Sequence, residues 1–558
     1  MPVLGLAQTS ADIGAAQRQA EIQQRQEQER LQREQDEVRR RNDPVDGLDT
    51  RLLQPKIEVP ALRASCRTVR VINVSSAPNL SAAMRQKIAD EFTGRCLNVS
   101  DIERILGEIT KFYIDRGFIT TRAYLPQQDL SSGQLEILVI EGVIEKIMIN
   151  DGDANSVSIG NVFPSREGGL LNLRDLEQGI DQINRLSSNN AKLDIQPGNT
   201  TGGSVVVINN RPARALRASI NTDNQGSVST GAAQTALSLS ADNLLRLNES
   251  LAVTHRESFP NTPGRKYSAS DSLNFSIPFG YSTVSVGTNR SVYFSPITLA
   301  SGLELITSGS SKSDNIRLDR VVYRDQSTRA SVSSTLTTKD SKNFLGSFFL
   351  DISSRKLTVL DLDASLTTGF LGGVLSLDLG VARGLTAMSA LRDAPGLPDT
   401  APRAQFSKLK AGFNYAKPFR VLGKDISFTS QMTGQKANNV LYGSEQISIG
   451  GLYSVRGYVK NSLTGDDGYY WRNEVSVRQP IELGGEIISS RLYAGYDRGY
   501  VSNRIPGGAQ GKLEGMVAGV SVNWRGASWD FYHTRPITMT SNMVRETGQT
   551  WFRLGYSF

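Results

Sequence analysis

One pattern constrains this chain more than any other: from about residue 213 to the C terminus, apolar residues alternate with small or polar ones. In SLNFSIPFG, Leu273, Phe275, Ile277 and Phe279 share one face of the segment. The same alternation runs through VLSLDLGVARG at 374–384, MVAGVSVNW at 516–524 and WFRLGYSF at 551–558. Successive side chains of a β-strand point to opposite sides, so the pattern predicts a long series of strands with one apolar face each.

A soluble β-sandwich or solenoid would alternate in the same way, but two features favour a membrane β-barrel. The residues opposite the apolar face are often small or charged, and the chain ends on an aromatic residue in an alternating strand. We therefore predict that 212–558 forms a transmembrane barrel of about 16 antiparallel strands, at roughly 10 residues a strand plus turns. Tyr556 and Phe558 are predicted to form a C-terminal signal for the barrel assembly machinery. The negative mean hydropathy agrees with a barrel, because lumen-facing residues dilute the apolar ones.

The chain before residue 67 has a different composition. MPVLGLAQTSADIG has neither the basic start nor the apolar core of a signal peptide. Either the protein stays in the cytosol or a signal peptide has been removed. The rest of the chain favours removal, with 1–6 as the mature N-terminus or a remnant of expression. Residues 42–66 contain Pro44, Pro55 and Pro60 and are predicted to form an extended linker.

Residues 7–41 are rich in Gln, Glu and Arg, lack proline and consist mainly of strong helix formers. The large apolar residues, Ile13, Ile22, Leu31 and Val38, are too few for a core-facing stripe. Two interpretations are equally good from the residues alone. The segment is either a solvated helix or charged disordered arm, or a helix inside a polar, water-filled channel.

Between linker and barrel, two units of mixed helix and strand pattern follow each other, at 67–142 and 143–211. In the first unit, LSAAMRQKIADEF and SDIERILGEITKFYIDRG are predicted helices, the latter capped by Ser100 or Asp101. The second unit has one predicted helix, LNLRDLEQGIDQINRLSS, among predicted strands. Neither unit carries a catalytic constellation, which favours a binding or scaffolding role.

Several functions are disfavoured by the sequence. The formal charge is +7, but 62 basic residues are dispersed among 55 acidic ones, without the basic patch interleaved with aromatics that nucleic-acid binding requires. With two histidines and no CxxC motif, a metal site is not expected. No P-loop, dinucleotide or nucleophile-elbow motif occurs, so we predict no enzyme activity, no catalytic residues and no cofactor.

The two cysteines, Cys66 and Cys96, lie in one segment. They could be two buried free thiols, but in an exported protein a disulfide is the better interpretation. Such a bond would close a loop of about 30 residues and contribute on the order of 3 kcal/mol.

Four motifs in the expected order resemble the transporter half of bacterial two-partner secretion pairs (TpsB proteins), a branch of the POTRA-containing outer-membrane superfamily. GLYSVRGY at 451–458 is similar to the VRGY loop motif of the superfamily, and GYDRG at 495–499 to the strand motif that faces this loop. YIDRGFITTRAYLPQQDLSSGQLEILVIEG at 113–142 and LNLRDLEQGIDQINRL at 171–186 resemble parts of the two POTRA domains. The resemblance implies POTRA domains at 67–142 and 143–211, a barrel of 16 strands, and a plug helix at 7–41.

The resemblance also implies a function. The protein would be a monomeric transporter in outer-membrane lipid, with its POTRA domains in the periplasm. These domains would bind one large TpsA-type exoprotein (a haemolysin, adhesin or contact-dependent toxin), which the barrel exports unfolded without nucleotide hydrolysis. The alternatives are an insertase of the same superfamily, which usually has more POTRA units and no plug helix, or a plugged porin-like channel, which would not need the two units.

The candidate site is the loop motif with the acidic residues that face it: Val455, Arg456, Gly457, Tyr458, Glu474 and Asp497. In RLYAGYDRGY the apolar parity points Asp497 into the lumen, and in WRNEVSV it does the same for Glu474. By parity alone, Arg456 and Asp497 are two solvated charges in a wet lumen. The resemblance implies instead that they form an ion pair that holds the loop, with Glu474 as a second acceptor.

Overall fold

The computed structural model describes residues 30, 66–152, 156–260, 266–298, 302–538 and 543–558. The predicted plug helix at 7–41, apart from Arg30, and the predicted linker up to residue 65 lie outside the described residues. The described chain forms two small α/β units followed by a closed β-barrel. Within the described ranges, none of the helices has the length and apolar character needed to cross a membrane.

The first unit packs two helices against a three-stranded sheet. Its elements are β1 (Arg67–Thr68), β2 (Val71–Ser75), α1 (Ala82–Phe92), β3 (Cys96–Leu97), α2 (Val99–Asp115), β4 (Arg122–Tyr124) and β5 (Gln134–Ile140). The sheet has the order β2-β5-β4, and β1 pairs with β3. Ile105, Ile109 and Tyr113 recur every four residues along α2, and this buried stripe packs in one core with residues of β5.

The cap of α2 differs from the prediction. Asn98 is the N-cap, and its side chain accepts the backbone N–H of Asp101 at 3.0 Å. Asp101 in turn accepts the backbone N–H of Asn98 at 2.9 Å, which completes a capping box. The predicted cap, Ser100 or Asp101, is therefore wrong, because Asn caps as well as Ser or Asp and an acidic residue three positions later closes the box.

The second unit has the same kind of sheet with one helix. Its elements are β6 (Val143–Asn150), α3 (Leu173–Asn184), β7 (Lys192–Pro197) and β8 (Gly203–Asn209), with the sheet order β6-β8-β7. Asn172 is the N-cap of α3, and its side chain accepts the backbone N–H of Arg174 at 2.9 Å. The backbone N–H of Leu173 donates to the carbonyl of Gly117 in the first unit at 2.8 Å, so the two units are in direct contact.

The barrel wall has sixteen antiparallel strands, which confirms the predicted fold class. Two further short segments, β16 (Phe348–Phe349) and β24 (Ile481–Leu483), are not counted, because the long strands before and after each of them pair with each other directly. The strands are β9 (Leu216–Asp223), β10 (Gln234–Asp242), β11 (Ser250–Ser258), β12 (Tyr267–Phe279), β13 (Ser282–Thr298), β14 (Glu304–Arg324), β15 (Thr328–Leu345), β16 (Phe348–Phe349), β17 (Arg355–Phe370), β18 (Gly373–Leu385), β19 (Ser407–Val421), β20 (Lys424–Ala437), β23 (Asp467–Arg478), β24 (Ile481–Leu483), β25 (Glu486–Ser502), β26 (Gly511–Trp524), β27 (Ala527–Thr538) and β28 (Gln549–Ser557).

The last strand closes the barrel against the first. β28 pairs with β9 from Arg553↔Asp223 to Ser557↔Ser219. At this end the rings of Tyr556 and Phe558 meet edge to face, with centroids 4.8 Å apart. The aromatic residues predicted as a C-terminal signal thus lie beside the closing seam of the barrel.

The second unit is fixed to the end of the barrel at which the short turns lie. Arg324, at the end of β14, donates from Nη1 to Asp181 Oδ2 on α3 at 2.6 Å. Gln182 Nε2 donates to the carbonyl of Gly280 in the β12–β13 turn at 2.9 Å. Arg185, just after α3, donates from Nη2 to the carbonyl of Asn248 before β11 at 2.6 Å. Three hairpins of the barrel therefore hold α3 and the residue that follows it. We call the two α/β units together, residues 66–211, the arm.

Candidate functional site

The connection between β20 and β23, residues 438–466, lies inside the barrel, and we call it the inner loop. It forms a hairpin of its own, in which β21 (Ile447–Ile449) pairs with β22 (Leu463–Gly465). The VRGY motif lies between these two strands. Val455 and Tyr458 are buried in a cluster with Ile449 and with Leu513 of β26. Apolar packing therefore holds the tip of the inner loop against the barrel wall.

At the tip of the inner loop, Arg456 binds two carboxylates of the wall. Its Nε and Nη2 donate to the two oxygens of Asp497 at 2.7 and 2.8 Å, and its Nη1 donates to Glu474 Oε2 at 3.0 Å. The backbone N–H of Arg456 also donates to Asp497 Oδ2, at 3.0 Å. The Asp497 side chain is 0% exposed and that of Arg456 7%. Bidentate, charge-assisted hydrogen bonds of this kind are among the strongest in proteins.

Two other cations take part in the same network. Arg491 donates to the second oxygen of Glu474, and Nε of Arg472 lies 3.9 Å from Asp497 Oδ1. Three arginines and two carboxylates thus meet where the inner loop crosses β23 and β25. The structure brings together the charged residues predicted for the site. Strand parity points Asp497 and Glu474 into the lumen, and the inner loop places Arg456 there.

Glycines allow the inner loop to approach the wall this closely. A Cβ on Gly515 of β26 would lie 1.8 Å from the carbonyl oxygen of Arg456. Gly457 has φ +115°, and a Cβ there would lie 2.7 Å from the carbonyl carbon of Arg535. A Cβ on Gly499 would lie 2.8 Å from Ile449 Cγ2. Side chains at these positions would force the loop away from the strands.

Tyr458 links the motif to the next strands. Its hydroxyl lies 2.8 Å from the carbonyl of Glu514 and also contacts the carbonyl of Thr538. The ring is buried, with 2% of the residue exposed. The phenol therefore fixes the tip of the inner loop to β26 and β27, in addition to the ion pairs on β23 and β25.

The structure also shows anchors that the sequence did not reveal. Glu445, near the base of the inner loop, accepts from Lys339 Nζ of β15 at 2.6 Å and from Lys408 Nζ of β19 at 3.2 Å. Just after the VRGY motif, the backbone N–H of Val459 donates to Glu546, which lies between β27 and β28, at 2.7 Å. The parity of β19 indicates that Lys408 points inward, but nothing in the sequence marks Glu445 as its partner or Glu546 as an acceptor for the inner loop.

Arg30 is the one described residue of the predicted plug segment, and it lies in the lumen. Its Nη2 donates to Ser270 Oγ of β12 at 3.0 Å, and 7% of the residue is exposed. Arg30 and Ser270 line a cavity of about 130 Å³, together with Gly451 and Tyr453 of the inner loop. Arg30 therefore occupies the space between the inner loop and β12.

Cys66 and Cys96 form a disulfide, with their Cα atoms 5.2 Å apart. It connects the residue before β1 to β3 and lies far along the chain from the barrel site. Among the residues that the structure describes, no three His, Cys, Asp or Glu side chains are grouped so as to hold a metal ion.

Comparisons with known proteins match both α/β units and most of the barrel. The family described as haemolysin secretion/activation protein ShlB/FhaC/HecB matches residues 202–526. A ShlB-type POTRA domain matches 68–142, and a further POTRA domain matches 143–197.

Individual relatives align over almost the full length. The outer membrane transporter CdiB of Dickeya dadantii is 30% identical over 93% of this chain and 92% of its own. The hemolysin transporter protein ShlB of Serratia marcescens is 29% identical over 91% of this chain and 89% of its own. The solved structure of CdiB from Escherichia coli has a TM-score of 0.85 and 30% identity, and covers 99% of this chain and 100% of its own.

Proposed function

The chain belongs to the haemolysin secretion/activation (ShlB/FhaC/HecB) family, and we propose that it exports one large exoprotein across the outer membrane. It is an outer-membrane transporter of the two-partner type, with its POTRA domains in the periplasm, and not an enzyme. The main support for a protein as cargo is that relatives named as transporters match the arm and the barrel together. The cargo would be of the TpsA type: a haemolysin, an adhesin or a contact-dependent toxin.

Recognition of the cargo is assigned to the arm. Among the described strands, β2 of the first unit and β7 of the second each have a neighbour on one side only. A strand edge of this kind presents unpaired backbone donors and acceptors, so an extended segment of the cargo can add to the sheet. Neither unit carries a catalytic constellation, and binding is the role left for two modules placed ahead of a pore.

Passage through the barrel would require the lumen to be cleared. The inner loop and Arg30 both lie in the lumen. We assign 7–41 the role of a plug that leaves during export, and the Arg456–Asp497 pair the role of holding the loop in its transport-competent position. No nucleotide-binding motif occurs in the sequence, so folding of the cargo outside the cell would draw the chain through. The transporter would act as a monomer after insertion by the barrel assembly machinery.

A secretion assay tests the proposal. The full chain and the exoprotein encoded beside its gene are produced together in a bacterium that lacks its own two-partner system. The exoprotein should reach the medium only with the transporter present. It should also enter transporter-containing proteoliposomes without added nucleotide. Retention of the exoprotein, combined with a defect in barrel assembly when the native gene is deleted, would favour the insertase alternative.

A binding measurement tests the role of the arm. A fragment of residues 66–211 should bind the N-terminal secretion domain of the exoprotein in solution, measured by calorimetry, and should not bind an unrelated unfolded protein. If circular dichroism shows a folded fragment that does not bind, recognition lies in the barrel instead.

A further inference from the structure

The inward faces of the barrel strands differ around its circumference. On β11 to β13, strand register points Thr254, Ser270, Ser272, Ser285 and Ser291 to the lumen. On β17 to β25 the inward positions carry many charges instead: Asp361, Asp363, Lys408, Lys410, Glu474 and Asp497. The inner loop is anchored mainly on the charged side, through Glu445 and Arg456. We call the inward face of β11, β12 and β13 the hydroxyl wall.

The strands of the hydroxyl wall carry polar side-chain atoms that make no hydrogen bond to the described residues. Arg256 Nε, Asn289 Nδ2 and Ser295 Oγ are buried and have no hydrogen-bond partner among the described residues. Arg256 lies on β11, and Asn289 and Ser295 on β13. A buried donor without a partner costs free energy, so such atoms mark a place where a further acceptor belongs.

Arg30 contacts the hydroxyl wall. Arg30 donates to Ser270 Oγ, and the cavity that it lines separates the hydroxyl wall from the inner loop. The cavity is bounded on one side by Ser268 and Ser291, and on the other by Gly451 and Tyr453. This cavity therefore lies between the hydroxyl wall and the inner loop.

We propose that the hydroxyl wall is the track on which the extended main chain of the secreted polypeptide moves through the barrel. Every residue of an extended chain presents one backbone donor and one acceptor, whatever its side chain. Hydroxyl and amide side chains both donate and accept, so the wall satisfies these groups without selecting a sequence. Fixed charges would retain oppositely charged cargo side chains, but Arg256, an inward cation on the hydroxyl wall, is paired with Asp223, whose Oδ2 lies 3.0 Å from its Nη1. The inference rests on the proposed function, because it specifies the path of the same cargo.

Thiol capture tests the path in the full chain. Both native cysteines are in the disulfide, so an introduced cysteine is the single free thiol. Ser272→Cys and Ser291→Cys probe the hydroxyl wall, and Ser476→Cys and Ser521→Cys are matched variants at inward positions of β23 and β26.

The probe is a synthetic peptide of about 40 Gly, Ser, Asn and Thr residues, long enough to span the barrel at roughly 3.3 Å a residue. It carries one thiopyridyl-activated cysteine and is added from the arm side to the protein in planar bilayers. The rate of peptide capture at each cysteine is divided by the rate at which a small methanethiosulfonate labels the same cysteine. Capture on the hydroxyl wall should be at least about tenfold faster, because proximity raises the effective thiol concentration.

Equal normalised rates, or faster capture on β23 and β26, would overturn the track. So would a peptide that reaches none of the four thiols while the small reagent labels all of them. The secretion assay, which tests the proposed function, gives the same result whichever side of the lumen the exoprotein contacts. A transporter that secretes its exoprotein but shows no wall preference therefore refutes the track alone.

A second variant tests the spare donors. Asn289→Ala should shorten the conductance blocks caused by the peptide about fivefold, since one hydrogen bond to the main chain is lost. Asn414→Ala, at an inward position of β19, is the matched control and should leave the block duration unchanged. Equal effects of the two substitutions would contradict a role for Asn289 on the track.

Discussion

Replacing Arg456 with alanine should release the inner loop from the wall. The substitution removes three guanidinium hydrogen bonds, of 2.7, 2.8 and 3.0 Å, to Asp497 and Glu474. Asp497, which is 0% exposed, would lose this partner, and the Nε of Arg472 lies 3.9 Å from its Oδ1. Removal of one partner of a buried ion pair costs about 3–5 kcal/mol. The equilibrium for loop opening should therefore shift by at least about a hundredfold, at tenfold per 1.4 kcal/mol.

Hydrogen exchange measures this shift directly. Amide protection of residues 450–460 in lipid nanodiscs reports the free energy of loop opening. It should fall in Arg456→Ala while protection of the barrel strands is retained, and secretion should fall with it. The control is Arg420→Ala: Arg420 pairs with Asp425 at 3.0 Å, but their side chains are 71% and 67% exposed. An exposed pair contributes at most about 1 kcal/mol, so this variant should change neither readout.

The double variant decides whether the two residues act together. Asp497→Ala should reduce secretion without preventing barrel assembly, and Arg456→Ala combined with Asp497→Ala should be no worse than either single change. The double variant removes the buried charge that each single variant leaves unpaired, which corresponds to a coupling of up to about 3 kcal/mol. If the two secretion defects multiply, the residues act independently and the assigned pair has no role in export.

Three further predictions concern the plug, the disulfide and the glycine contact. Deletion of 7–41 should raise ion conductance in planar bilayers while gel mobility shows a folded barrel; unchanged conductance would contradict the plug. Serine at both Cys66 and Cys96 should lower the free energy of unfolding of the arm by about 3 kcal/mol, whereas two alkylatable thiols in the periplasm-matured wild type would rule the bond out. Gly515→Ala should reduce secretion, because its Cβ would lie 1.8 Å from a carbonyl oxygen of the inner loop, while Gly369→Ala on β17 meets open space and should not.

The barrel could be predicted because the alternation of apolar and polar residues along a strand shows which side chains face the lipid and which face the lumen. A period of two fixes which residues share a face, so one apolar set such as Leu492 and Tyr496 places Asp497 opposite. The exposure of Leu492, at 54%, and the complete burial of Asp497 follow that parity. The same argument put Glu474 in the lumen, where it meets Arg456.

Loop anchors could not be predicted in this way, because a loop has no period. Glu445 and Glu546 lie in irregular segments, and each meets residues distant in sequence, Lys339 and Val459. Which loop folds into the lumen depends on the closure of the barrel as a whole. The contact of Arg456 with the wall was predicted from the motif resemblance, which contains no information on Glu445 and Glu546.

The attachment of α3 to the barrel turns has a consequence for protein engineering. Arg324 and Gly280 belong to the barrel, yet they bind Asp181 and Gln182 of the arm. An arm grafted from a relative onto this barrel would meet turns shaped for a different helix. We expect chimeras to recover secretion of the donor's exoprotein only when the recipient hairpins at β10–β11, β12–β13 and β14–β15 are transplanted with the arm. The interchangeable part of the transporter is therefore the arm together with the rim on which it is seated.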